Sequence, residues 1–174
     1  NVALGNETLD ANTDGDFNTA VGHASLSNST TANSNTAVGF DSLVVNTTGS
    51  SNTAVGRNSL QDNTTGCRNV SLGLDSLANN TTGECNVGVG FDAGSTITTG
   101  SNLTVLGNGA QPSSATATNE ITLGNSSVTS LRCADTPISS LSDLRDKKNV
   151  EDIPHGLDFI NALRPVKFDW NARD

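Results

Sequence analysis

Glycine recurs at a fixed spacing of 17 along this chain, at Gly5, Gly22, Gly39, Gly56, Gly73, Gly90, Gly107 and Gly124. An apolar residue precedes each of the eight, always Val or Leu. Asn opens the first six repeats, at Asn1, Asn18, Asn35, Asn52, Asn69 and Asn86. A leucine follows four residues after the glycine in five repeats, at Leu9, Leu26, Leu43, Leu60 and Leu77. A second glycine lies ten residues after the first at Gly15, Gly49, Gly66, Gly83 and Gly100, with Ala32 in its place once. A fixed period marks a repeat architecture, and 17 residues are too few for a helix pair, which takes about 33 or more.

One coil of a β-solenoid fits this length, with two short strands and two turns. β-Branched residues in Thr36–Val38 favour a strand. Glycine supplies the positive φ that the turns require. The expected fold is all-β, a β-solenoid or β-roll of eight 17-residue coils. Stacking at about 4.8 Å per coil makes a rod about 38 Å long. Val and Leu are expected inside, and Asn at the turns. Ala3, Ala20, Ala37 and Ala54 form a strip of small residues that invites packing against copies of the chain. Such a thin coil buries little, and oligomerisation is a common remedy for a weak core. A parallel homotrimer is therefore expected, with a monomeric solenoid as the alternative.

Composition agrees with a rod and argues against an ordinary enzyme. Hydrophobic residues make up 33% of the chain and aromatic residues 3%, with neither Met nor Tyr. A globular core normally draws on about 45–50% apolar residues. The net charge of −9 offers no basic patch to nucleic acid. No stretch approaches the roughly 20 apolar residues of a membrane span. The chain opens at Asn1 without Met or a signal peptide and reads as an excerpt of a longer protein.

Composition shifts after the repeats. Residues 1–141 hold 11 acidic and 3 basic residues, and residues 142–174 hold 7 and 6. Only Gly156 of the 17 glycines lies beyond Gly124. The boundaries read as a solenoid over 1–124, a linker over 125–141 and a distinct segment over 142–174. The last repeats decay: Leu103 replaces the opening Asn, and residues 111–118 lose the Asn-Thr-Thr-Gly turn, as expected of a capping coil.

Several features within the repeats have two readings. Asn6, Asn28, Asn46, Asn63, Asn69, Asn79, Asn80, Asn102 and Asn125 fit the glycosylation sequon. A repeat with Asn-Thr-Thr turns generates most of these by itself. Thr47–Thr48, Thr64–Thr65, Thr81–Thr82 and Thr98–Thr99 form ladders that suit ice or glycan binding, or simply side-chain bonding in turns. Asp41, Asp75 and Asp92 recur two residues after a repeat glycine, yet the calcium-binding G-G-x-G-x-D pattern is absent, so solvated surface charge is the better reading. Cys67 and Cys85 are 18 apart, near one coil, and a disulfide within or between chains is an alternative to free thiols. Neither Cys133 nor the lone His23 and His155 has a zinc-ligand partner at useful spacing. No metal or cofactor is expected.

The segment after residue 141 reads differently. Leu157, Ile160 and Leu163 recur at spacings of three on one helical face, which Pro165 ends. Val166, Phe168 and Trp170 then alternate with polar residues as a strand does. A small helix-plus-strand unit is expected there. Ser142 and Asp143 by themselves would also serve as a helix cap.

The set Ser142, Asp143, Arg145 and Lys147, followed by Asn149–Val150 and by residues 156–170, resembles the start of the intramolecular chaperone domain of endosialidase-type phage tailspikes. The repeats resemble the heads of trimeric autotransporter adhesins and repeats upstream of phage and giant-virus fibre tips. The first resemblance implies a trimeric, C-terminal domain that folds the fibre and then cuts itself off. Carried over, it implies cleavage between Leu141 and Ser142, with Ser142 the nucleophile, Lys147 the general base, and Asp143 and Arg145 supporting the motif. A serine hydroxyl needs a base, and a lysine serves when burial lowers its pKa. Residues five apart lie about 140° apart on a continuous helix. Ser142 therefore precedes any helix, or the lysine comes from a neighbouring chain, and Lys148 is a rival base.

The function expected from these readings is the shaft or tip of a trimeric extracellular fibre, a viral tail fibre or surface adhesin that touches a host glycan or receptor. It is located on the virion or cell surface. The alternatives are a serine autoprotease whose cleavage is the main activity, and a Thr-ladder solenoid that binds glycan or ice.

Overall fold

The computed structural model describes residues 1–132. Eight parallel strands form one sheet in chain order: β1 (Val2–Leu4), β2 (Thr19–Val21), β3 (Thr36–Val38), β4 (Thr53–Val55), β5 (Val70–Leu72), β6 (Val87–Val89), β7 (Ser101–Leu106) and β8 (Thr118–Leu123). Each strand pairs with the residue 17 further on, as Ala20 with Ala37 and Ala37 with Ala54. The described residues contain no helix, and the all-β solenoid follows the 17-residue period. Seven turns join the eight strands, so the eighth repeat contributes only a strand.

Three sequence expectations are corrected. Each coil carries one strand, not two. The obstacle to a second strand is backbone twist: Asp41, Leu43 and Ser51 have φ of 53°, 53° and 62°, and the equivalent residues of other coils match them. Left-handed residues so closely spaced interrupt a pleated strand. Where the repeat changes Leu or the acidic residue to glycine, at Gly94 and Gly109, φ is +66° and +59°.

The second correction concerns what faces inward. Ala20, Ala37 and Ala54 are fully buried, whereas Leu4, Leu72 and Leu123, each before a repeat glycine, are 67%, 48% and 50% exposed. Side chains alternate across a strand, so the small residue and its apolar neighbours cannot share a face. The core holds the Ala row, the row Leu26, Leu43, Leu60 and Leu77, and then Ile97, Leu103 and Val105 in the last coils. The Ala row is therefore not available to copies of the chain.

The third correction concerns Asn. The opening Asn of each repeat lies inside, with Asn18, Asn35, Asn52, Asn69 and Asn86 buried. Each side-chain oxygen accepts from the backbone N–H one coil on: Asn35 donates to Asn18 Oδ1, and Asn52 to Asn35 Oδ1, both at 2.9 Å. Each Nδ2 donates back within its own coil, as Asn52 to the Gly66 carbonyl at 2.8 Å and Asn69 to the Gly83 carbonyl at 2.8 Å. The side chain thus ties neighbouring coils and closes its own. Leu103 N–H still bonds to Asn86 Oδ1 at 3.0 Å, and the leucine ends the ladder by offering no acceptor.

A second Asn row lies inside the opposite turn. Asn63 Nδ2 donates to Asn46 Oδ1 at 2.8 Å, and Asn80 Nδ2 to Asn63 Oδ1 at 2.9 Å. The row stops where the sequence departs from Asn, leaving Asn12 Oδ1 above Ser29 and Asn80 Oδ1 above Ile97 without a partner. The glycine three residues after each of these Asn residues is crowded both by that side chain and by the backbone carbonyl of the next coil. A Cβ on Gly49 would overlap Asn46 Oδ1 and stand 2.9 Å from Asn63 Nδ2. Ala32 and Ala117 replace this glycine, and three residues before each stands Ser, at Ser29 and Ser114. The shorter side chain leaves room for the methyl.

The repeat glycines serve a different need. Gly5 to Gly107 of that set have φ between 119° and 148°, and Gly124 departs at 77°. A Cβ on Gly39 would stand 2.6 Å from the Gly56 carbonyl carbon. Gly39→Ala is therefore expected to cost on the order of 3 kcal/mol, from backbone strain and overpacking together. Denaturant unfolding checks this. A loss under about 1 kcal/mol would contradict the close approach.

The two side-chain rules also couple. Ser29→Asn alone is expected to lose about 1–3 kcal/mol by pressing on the Ala32 methyl. Adding Ala32→Gly is expected to recover the loss and complete the Asn row, with a coupling energy above about 1 kcal/mol in a double-mutant cycle. Additive effects would show that the two positions are independent.

Candidate functional site

The sequence-derived cleavage site, Leu141 and Ser142, with Asp143, Arg145 and Lys147, lies outside the described residues, as does Cys133. So do the expected helix and strand of residues 142–174.

The sequons divide by location. Asn46, Asn63, Asn69 and Asn80 are fully buried, with their side-chain amides engaged in the ladders. No glycosyl transfer reaches them in the folded rod. Asn28 and Asn79 are exposed, yet their Nδ2 groups donate to Val44 and Ser95 carbonyls at 2.9 and 2.7 Å. These two side chains brace adjacent coils.

The paired threonines also have distinct roles. Thr47, Thr64 and Thr81 are half-buried, and each hydroxyl donates to the carbonyl of the Thr one coil on at 3.0 Å. The following Thr48, Thr65, Thr82 and Thr99 are exposed and leave one outward row. Half of each pair is thus committed to the turn, as side-chain bonding in turns requires.

Asp41, Asp75 and Asp92 stand at left-handed backbone positions with φ of 53°, 56° and 57°. Asn58 separates the first two and donates to Asp75 Oδ1 at 2.8 Å. No group of three metal-ligating side chains occurs among the described residues.

Cys67 and Cys85 sit on neighbouring coils and are free thiols, with the Cys85 N–H bonded to the Cys67 carbonyl at 3.0 Å. The Cys67 sulfur accepts from the Ser50 N–H at 3.4 Å. Arg68 lies between the coils, its Nε donating to the Cys85 sulfur at 3.3 Å while its other end pairs with Glu84. Hydrogen bonding to Cys85 pushes the Arg68 guanidinium above its usual pKa. The off-by-one spacing explains the arrangement, because Cys85 stacks under Arg68 rather than under Cys67.

The strand side of the rod carries the feature that sequence reasoning assigned to the core. Residues two and four of each repeat, and the residue after the glycine, point outward. Leu72, Leu74, Phe91 and Ile121 are among the exposed large hydrophobic residues there. His23 stacks on Phe40 with ring centroids 5.1 Å apart, and Arg57 caps the same ring at 5.7 Å. None of the acidic residues of 1–132 falls at these three repeat positions. The absence of carboxylates at those positions was a readable signal that this face differs from the rest of the surface.

A family model described as chaperone of endosialidase matches residues 142–174. The match begins at Ser142. Searches among curated proteins and solved structures returned no match. A repeat rod followed by a chaperone-of-endosialidase segment is consistent with a tail-fibre-like structural protein.

Peptide mapping after alkylation without reductant is expected to find Cys67 and Cys85 both as thiols, with exposed Cys85 modified faster than half-buried Cys67. A linked Cys67–Cys85 peptide would contradict this arrangement.

Proposed function

We propose that this chain is the distal shaft of a homotrimeric extracellular fibre, joined to the start of a self-cleaving chaperone that assembles it. The observation that carries the proposal is the chaperone-of-endosialidase match over residues 142–174, which follows a parallel β-solenoid along the chain. A long in-register parallel stack is slow to form, because every contact closes a 17-residue loop before the next rung can pair. A folding template at the C-terminal end answers that difficulty. The shaft would then display a host-binding surface on a virion or a cell.

In the proposed maturation, Lys147 accepts the proton of the Ser142 hydroxyl, and Oγ attacks the Leu141 carbonyl carbon. The Leu141–Ser142 peptide bond breaks as the proton passes to the Ser142 amine, leaving an ester of the Leu141 carboxyl on Oγ. Water hydrolyses that ester, which frees the Leu141 carboxylate and restores the hydroxyl. Activation of the serine requires a desolvated base. Assembly of three chains supplies burial that a short segment lacks by itself. Cleavage therefore follows trimerisation and removes the template, so the finished shaft persists by kinetic stability.

The test uses the protein expressed from its complete reading frame. The unmodified protein is expected to give two fragments parted between Leu141 and Ser142, and Ser142→Ala a single uncleaved band from a trimer of the same mass per chain. Lys147→Ala is expected to block cleavage and Lys148→Ala to leave it intact. The reverse result would move the base to Lys148. Normal cleavage in Ser142→Ala would end the autoprotease reading, and a folded monomer by light scattering would end the trimer.

A further inference from the structure

We infer that the outward face of the strands β1 to β8 is the surface along which copies of this chain pack against each other. The inference rests on the homotrimer proposed above and assigns its interface. The sheet presents one Val or Leu before every repeat glycine, flanked by Thr, Val or Ile on one side; on the other, Phe40, Leu74 and Phe91 alternate along the rod with His23, Arg57 and Asn side chains. Val70, Leu72 and Leu106 are 40%, 48% and 36% exposed in the single chain. A row this regular has no reason to remain in water on a chain whose apolar content is only 33%.

A second copy is the occupant that the geometry fits. The face repeats every 17 residues in register, so parallel copies side by side meet like with like at each level. The chain carries −9 overall, yet the face carries no carboxylate, and its only cationic groups are Arg57 and His23 at the edge over Phe40. Acidic Asp41, Asp75 and Asp92 follow directly at the margin, where water still solvates them. Seven steps of about 4.8 Å and five residues of about 3.3 Å make a strip about 34 Å by 16 Å. That is about 540 Å² on each copy and about 1,600 Å² summed over three chains, divided among their three pairwise contacts. The opposite side of the coil, with its polar Thr48, Thr65 and Thr82 row, offers no comparable apolar area.

The test places a reporter on each side of the full chain, with Cys67, Cys85 and Cys133 replaced by Ser. Val55→Cys lies on the strand face and Thr48→Cys on the Thr row. Under mild oxidation, Val55→Cys is expected to give chains linked in pairs at a yield about tenfold above that of Thr48→Cys. A stronger link at Thr48→Cys, or an assembled chain with Val55→Cys unlinked, would overturn the face while leaving the assembly in place. A second measurement avoids the cysteine background. In the otherwise unaltered chain, Leu72→Glu is expected to shift the mass by light scattering from an oligomer toward a single chain, and Thr48→Glu to leave it unchanged. Persistence of the oligomer in Leu72→Glu would overturn the assignment. A folded monomer in the unaltered chain would overturn the trimer itself and the interface with it.

Discussion

The buried asparagine row is the interaction on which the rod depends. A primary amide has an acceptor and a donor group at one end of a short side chain. Asn35 uses the first to receive the Asn52 N–H and the second to reach the Gly49 carbonyl at 2.9 Å. One residue therefore joins coils and shuts its own loop. Aspartate has no donor for the carbonyl, and glutamine is a methylene too long. A buried polar group without partners costs about 1–3 kcal/mol, so an unfilled position is felt at once. Because the interior is wired in this way, one Leu and one Ala per coil suffice as apolar filling.

The same row explains which side of the strand faces inward. A three-residue strand such as Thr36–Val38 shows alternation but does not reveal its phase, and shifting by one residue exchanges the two faces. Size favoured Val inside and Ala outside. The deciding residue is Asn35, just before the strand, whose buried amide places Ala37 on its own side and Val38 on the other. The period, the parallel stacking and the strand location were legible because they follow from repetition alone. The single strand per coil was not, since Leu43 and Leu60 at φ of 53° and 52° occupy a region that leucine rarely enters. Gly94 and Gly109 were the available hints, standing where other coils keep side chains in that strained conformation.

For the functional segment, legibility ran the other way. Ser142, Arg145 and Lys147 carry a pattern specific enough to name a domain, and the family match begins at the same serine. The surfaces of the rod were harder to read. Sequons and threonine pairs stand out in the sequence, yet Asn63 and Asn69 are interior struts and Thr64 is a turn brace. The apolar row before the glycines passes as core because it looks like core. Only the fold places it outside the coil.

The Ser29–Ala32 pair has a further consequence. Coils that satisfy identical rules are interchangeable, so a growing stack can accept a neighbour one unit too early and lose little locally. In the proposed trimer, three chains side by side would multiply the ways of being offset. Departures from the consensus remove that degeneracy. Ser29 with Ala32 near one end, and Ile97 followed by Ser114 with Ala117 near the other, distinguish the end coils from the middle ones. What looks like erosion of a perfect repeat thus gives the two ends of the stack a different interior from its middle, so a coil added out of turn meets the wrong neighbour there.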